Sequence, residues 1–189
     1  MTTANKLTLA RVALIPVFLV ILYLDFPYAR CAAFGVFVVA CLTDFVDGYI
    51  ARHYNQVTDF GKFADPLADK LLTTVAFIYM MRDGVCSPVV LCIILAREFA
   101  VSGLRMVAAG AKDGKVIAAN MWGKVKTVLQ MLSIIFYFFG TALCWNGTLE
   151  SITVVVLVSI LLCWLVAIVT AVSGIKYLWD NRSFINTAK

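Results

Sequence analysis

Residues 44–69 read DFVDGYIARHYNQVTDFGKFADPLAD, with aspartates at Asp44, Asp47, Asp65 and Asp69. These acids sit in a chain that has little other use for charge. Of its 189 residues, 62% are hydrophobic and only 14% are charged, with a mean hydropathy of +0.93. Ordinary soluble domains are about 45–50% apolar and about 25% charged. The excess apolar surface has no place to go except lipid. The composition therefore implies an integral membrane protein and excludes disordered, collagenous and disulfide-stapled secreted chains. The net charge of +5 is modest, so nucleic acid is not an expected partner.

Working outward from the acidic stretch, six apolar segments are long enough to cross a bilayer, over about 5–24, 31–53, 64–82, 86–109, 117–142 and 152–178. Only the last has a long uncharged core. The first follows Lys6 and Arg11 without a small-residue cleavage site, which favours an uncleaved span over a signal peptide. The expected architecture is all-α, a six-helix transmembrane bundle forming one domain over 1–189. The six cysteines form no CxxC pair and read as structural thiols.

In spans two to five the charges gather in one half of each segment. Spans two and four end, and spans three and five begin, on the same side. Thirteen of the sixteen Lys and Arg residues fall on that side; Arg30 and Arg82 fall on the other, and Arg97 lies within a span. The positive-inside rule then puts both termini in the cytoplasm. A charge at mid-span costs at least ~2.5–3.5 kcal/mol. Lys and Arg can snorkel to the interface, but a short Asp two turns down cannot. A polar cavity facing the cytoplasm is the expected solution.

On a helix, residues three and four apart share a face. Asp44, Asp47, Gly48, Ala51 and Arg52 form one such stripe, and Asp65 and Asp69 form another. The intervening 53–64 stretch carries His53, Asn55, Thr58, Asp59 and Gly61 and reads as a turn. Antiparallel neighbours would bring the two acid pairs together. Four carboxylates in a low-dielectric place repel unless a cation joins them. An all-oxygen set suits Mg²⁺, Mn²⁺ or Ca²⁺. Two ions would balance four carboxylates, as in phosphoryl-transfer sites. Gly48 and Ala51 would let a substrate approach the backbone, although small residues also serve plain helix packing.

The pattern D-x2-D-G-x2-A-R-x8-G-x3-D-x3-D, matched without departure at Asp44, Asp47, Gly48, Ala51, Arg52, Gly61, Asp65 and Asp69, resembles the signature of the CDP-alcohol phosphotransferases. Eight fixed positions would coincide by chance on the order of 10⁻⁹ per start. The resemblance implies cleavage of a CDP-linked donor, release of CMP and transfer of the phospho-moiety to an alcohol by direct displacement. It implies that Asp44, Asp47, Asp65 and Asp69 hold Mg²⁺ or Mn²⁺, two ions per site, and that Asp69 is the general base. It assigns Gly48, Ala51, Arg52 and Gly61 to the donor, and it suggests a homodimer.

The alcohol must be read elsewhere. Arg97 and Arg105 are two turns apart on span four, and Lys124 and Lys126 open span five. A phosphorylated acceptor needs such cations. Lys112 and Lys115 fit better as topology-setting loop charges, and Arg97 could instead pair structurally with Glu98. The stretches 96–105 and 117–127, with the opening 5–11, resemble the branch of the family that accepts glycerol 3-phosphate. For that branch the donor is CDP-diacylglycerol, and a bacterial inner membrane is implied, with the site facing the cytoplasm. Thr8 and Arg11 lie at the end of span one that would meet the donor headgroup. Competing readings are another acceptor (inositol phosphate, serine or phosphatidylglycerol) and a divalent-cation transporter, the latter disfavoured by the apolar outer halves.

Overall fold

A computed structural model describes residues 3–24, 26, 28–53, 59–110, 121–144 and 148–182; for 3–8, 44–53, 59–67, 69 and 107–110 it describes the backbone alone. The described residues form six α-helices and no strand: α1 (Thr3–Leu24), α2 (Ala29–His53), α3 (Asp59–Arg82), α4 (Pro88–Gly110), α5 (Met121–Leu143) and α6 (Leu149–Asp180). Over the described residues each expected span falls largely on one helix. The turn expected over 53–64 is shorter than its composition suggests. His53 still belongs to α2, while Asp59 and Gly61 already belong to α3, and 54–58 lie outside the described residues. The correction has a physical basis, because an acidic residue at the first helical position complements the helix dipole. The Lys112 and Lys115 segment also lies outside the described residues.

Among the described residues, α5 and α6 are long and apolar enough to cross a membrane, and α1 and α2 carry shorter apolar stretches over Leu9–Leu24 and Ala29–Thr43. On α6, Leu157, Leu161, Leu165, Ile168, Val172 and Ile175 are all exposed at helical spacing. A continuous apolar stripe of that kind suits contact with lipid rather than water.

The chain divides into two compact units, one of residues 1–79 and 134–155 and one of residues 80–133 and 156–189. In the first, α1 packs on α2. One face of α2 is buried along Ala29, Ala33, Phe37 and Ala40, at a spacing of three or four. Small residues there let two membrane helices approach closely. Phe18 of α1 lies 6.2 Å from Phe37 and meets Phe138 of α5 edge-on at 5.5 Å, while Tyr79 of α3 stacks on Phe138 at 6.1 Å. The Tyr79 hydroxyl donates to the Leu22 carbonyl at 3.4 Å. That carbonyl is in the last turn of α1, where no intrahelical donor remains, so the hydroxyl satisfies both partners.

In the second unit the α3–α4 connection is tight. Gly84 has a φ of 75°. Its N–H donates to the Met81 carbonyl at 3.0 Å, and the Val85 N–H donates to the Met80 carbonyl at 2.9 Å. This is the Schellman pair that closes a helix with a left-handed residue. Ser87 then caps α4, its Oγ accepting from the Val89 N–H at 3.3 Å, with Pro88 at the first helical position. Gly84→Ala should cost about 1–2 kcal/mol, because a Cβ disfavours that conformation even though it meets no atom within 4 Å. Thermal unfolding in detergent checks this, and an unchanged midpoint would remove the strain argument.

All six cysteines are free, as expected of structural thiols. Cys163 of α6 packs 3.8 Å from the Ser133 hydroxyl of α5, and both are buried.

Candidate active site

The acidic motif falls on two uninterrupted helices. Asp44, Asp47, Gly48, Ala51 and Arg52 lie on α2, and Gly61, Asp65 and Asp69 lie on α3. Because each helix is continuous through its motif, Asp44 and Asp47 share a face, as do Asp65 and Asp69 one turn apart. The side chains of these eight residues, and that of Thr8 on α1, lie outside the described residues. Arg11, also on α1, is fully buried. The motif and Arg11 all belong to the first unit.

The second unit carries a cluster of charge inside an apolar helix set. Glu98 of α4 is its centre. Its Oε1 accepts from Lys126 Nζ of α5 and from Arg97 Nη1 at 3.3 Å. Arg97 Nη2 donates to Ser173 Oγ of α6 at 3.1 Å. Lys126 is only 4% exposed, and the Arg97 and Glu98 side chains are 11% and 16% exposed. Charges this dry are stable only when paired and hydrogen-bonded, which is what the three helices supply.

Two glycines make room for Arg97. A Cβ on Gly174 would stand 2.8 Å from Arg97 Cγ, and one on Gly123 would stand 3.3 Å from Arg97 Nη2. The guanidinium stem therefore runs in a slot that any larger residue would fill. Sequence reasoning picked out Arg97 and Lys126 and allowed for the Glu98 pairing. It missed Gly123, Ser173 and Gly174. Ser173-Gly174, a small pair inside the long apolar helix, was the available signal, since such pairs mark close helix contacts in membranes.

The other two cations of the expected phosphate set sit differently. Arg105 of α4 is exposed, donates from Nε to the Tyr177 hydroxyl at 3.2 Å and lies 5.6 Å from that ring's centre. Tyr177 is held by Val101 and Leu104 in a buried cluster. Lys124 is exposed on the first turn of α5. Nearby, Lys176 lies over the Trp122 ring at 5.9 Å. One paired, buried set of cations and one exposed set thus occupy the same unit.

Comparison with known proteins places this arrangement. Residues 1–172 match the CDP-alcohol phosphatidyltransferase family. A CDP-diacylglycerol–glycerol-3-phosphate 3-phosphatidyltransferase of Bacillus subtilis is 40% identical over 196 residues, which cover 97% of each chain. The enzyme of the same name from Rickettsia bellii is 40% identical over 173 residues, 92% of this chain and 91% of the relative. That of Salmonella typhimurium is 40% identical over 130 residues, 68% of this chain and 71% of its own. With the Asp motif complete on α2 and α3 and the match running through nearly the whole length, the chain belongs to the CDP-alcohol phosphatidyltransferase family.

Proposed function

We propose that this chain transfers the phosphatidyl group of CDP-diacylglycerol to sn-glycerol 3-phosphate, giving phosphatidylglycerol phosphate and CMP. The observation that carries the reading is 40% identity to an enzyme of that name across 97% of both chains. The unbroken acidic motif supports it.

The family uses divalent metal ions. The donor set fits one: four carboxylates in two same-face pairs, on uninterrupted helices, with only hard oxygen to offer. Asp44, Asp47, Asp65 and Asp69 would hold Mg²⁺ or Mn²⁺, two ions per site. When bound, the metal supplies neutralisation of the pyrophosphate charge. Gly48, Ala51, Arg52 and Gly61 bind the donor, with Thr8 and Arg11 at its headgroup. Asp69 takes the proton of the acceptor hydroxyl, which then attacks the phosphorus of the lipid phosphate directly. Arg97, Arg105, Lys124 and Lys126 bind the acceptor's phosphate.

The enzyme resides in the bacterial inner membrane as a homodimer. Its polar cavity opens to the cytoplasm, where both termini lie, and the donor's acyl chains stay in lipid. The membrane part of this reading is supported by α5 and α6, and the orientation by the distribution of Lys and Arg.

An acceptor panel tests the reading. Purified protein with CDP-diacylglycerol should release CMP with glycerol 3-phosphate and not with serine, inositol phosphate or phosphatidylglycerol. A chelator should stop the release, and added Mg²⁺ should restore it. In Lys124→Ala or Arg105→Ala the KM for glycerol 3-phosphate should rise roughly tenfold, the scale of one charge-assisted hydrogen bond, with the donor KM little changed. Release with a different alcohol alone would overturn the acceptor assignment.

A further inference from the structure

We infer that Glu98 is a positioning residue for the acceptor's phosphate, holding Lys126 and Arg97 at one point through a single carboxylate oxygen. The inference rests on the assignment of those two cations to the acceptor and goes beyond it to a residue of opposite sign.

Arg97, Lys126 and Glu98 meet in a nearly dry place. Without Glu98, the Arg97 and Lys126 charges would face each other at low dielectric, and the carboxylate that both reach offsets that repulsion. Arg97 Nε is buried with no hydrogen-bond partner, so one donor of a positively charged group remains unsatisfied. An oxygen of a phosphate monoester would accept from that donor.

Geometry adds direction. Arg97 has its Nη1 on Glu98 and its Nη2 on Ser173 Oγ, and its stem passes Gly174. The guanidinium plane is thereby set by two helices, α4 and α6. Lys126 comes from a third, α5, and meets the same Glu98 oxygen. Glu98 thus ties α4 to α5, and Arg97 carries the link on to α6. Glu98 sets the spacing of two cations that no covalent neighbour relation sets, since they lie 29 positions apart in the chain.

The test separates this role from a purely structural one. Glu98→Gln should raise the KM for glycerol 3-phosphate at least tenfold and leave that for CDP-diacylglycerol within twofold. Inorganic phosphate, competing with the acceptor, should weaken as an inhibitor by the same factor. Glu98→Asp keeps the charge but withdraws the oxygen, and should show a smaller rise in acceptor KM with a near-normal unfolding midpoint. This second variant decides the matter if the Gln variant does not fold. Equal rises in both KM values, or none in folded protein, would overturn the inference. If Lys126→Ala raises the acceptor KM while neither Glu98 variant does, the phosphate site stands and only the role of Glu98 falls. If Lys126→Ala has no effect either, the assignment of the cations fails first.

Discussion

Asp69→Asn should lower the turnover of CMP release by about 10³-fold, with both substrates saturating. Asparagine is nearly the same size, keeps one oxygen and cannot accept the acceptor's proton. General-base catalysis is worth 10²–10⁴-fold, and a thousandfold loss corresponds to about 4 kcal/mol in the barrier. The neighbouring Asp65, one turn away on α3, is the natural comparison. Asp65→Asn should be rescued in part by raising Mn²⁺ or Mg²⁺, because a weakened ligand can be offset by mass action. Asp69→Asn should recover no more than the part of its loss that comes from weaker metal binding, because metal does not replace a base. An Asp69→Asn protein that retains more than a tenth of the activity would remove the base assignment. So would full rescue by metal.

The second large effect is structural and is expected at Gly174. Its would-be Cβ meets the Arg97 stem at 2.8 Å for Cγ and 3.6 Å for Cβ. The stem cannot swing aside, because the far end of the side chain is tied to Glu98 and Ser173. Gly174→Ala should therefore behave as an overpacked core and cost about 1–3 kcal/mol. At roughly 2–4 °C per kcal/mol for a chain of this size, the unfolding midpoint in detergent should fall by about 5 °C. Gly103 on α4 supplies the control, since a Cβ there meets nothing within 4 Å. Gly103→Ala should be neutral or stabilising by up to about 1 kcal/mol, as expected where a helix interior loses a glycine. Similar midpoints for the two variants would mean that Arg97 does not occupy the slot beside α6.

The six helices were legible because their limits are written locally. Gly84, Ser87 and Pro88 each do a separate job at the α3–α4 turn, and each does so within a few residues of its partners. The limit that was misread, at Asp59 and Gly61, shows the weakness of composition alone. Both residue types are frequent in turns, and both are also tolerated in a first helical turn. The aspartate motif was legible for the same reason as the turn, since 26 residues contain all of it. The cluster around Glu98 was only half legible. Arg97 and Glu98 are neighbours in the chain, so their pairing could be foreseen. Lys126 and Ser173 reach them from 28 and 76 positions away, and nothing short of packing α4, α5 and α6 together brings them there. Ser173 was further hidden by its setting, one of several small hydroxyl residues, with Thr153, Ser159 and Thr170, spread along a mostly apolar helix.

The length of α6 has its own consequence. Residues 152–175 rise about 36 Å at 1.5 Å per residue, which exceeds the ~30 Å hydrocarbon thickness of a typical bilayer. A rod longer than its slab can be fitted by leaning, and leans less as the slab thickens. Ser173 rides near the end of that rod and carries one of the two hydrogen bonds that orient Arg97. A change in the lean of α6 would move Ser173 past α4, and with it one end of the hydrogen bond that fixes the guanidinium.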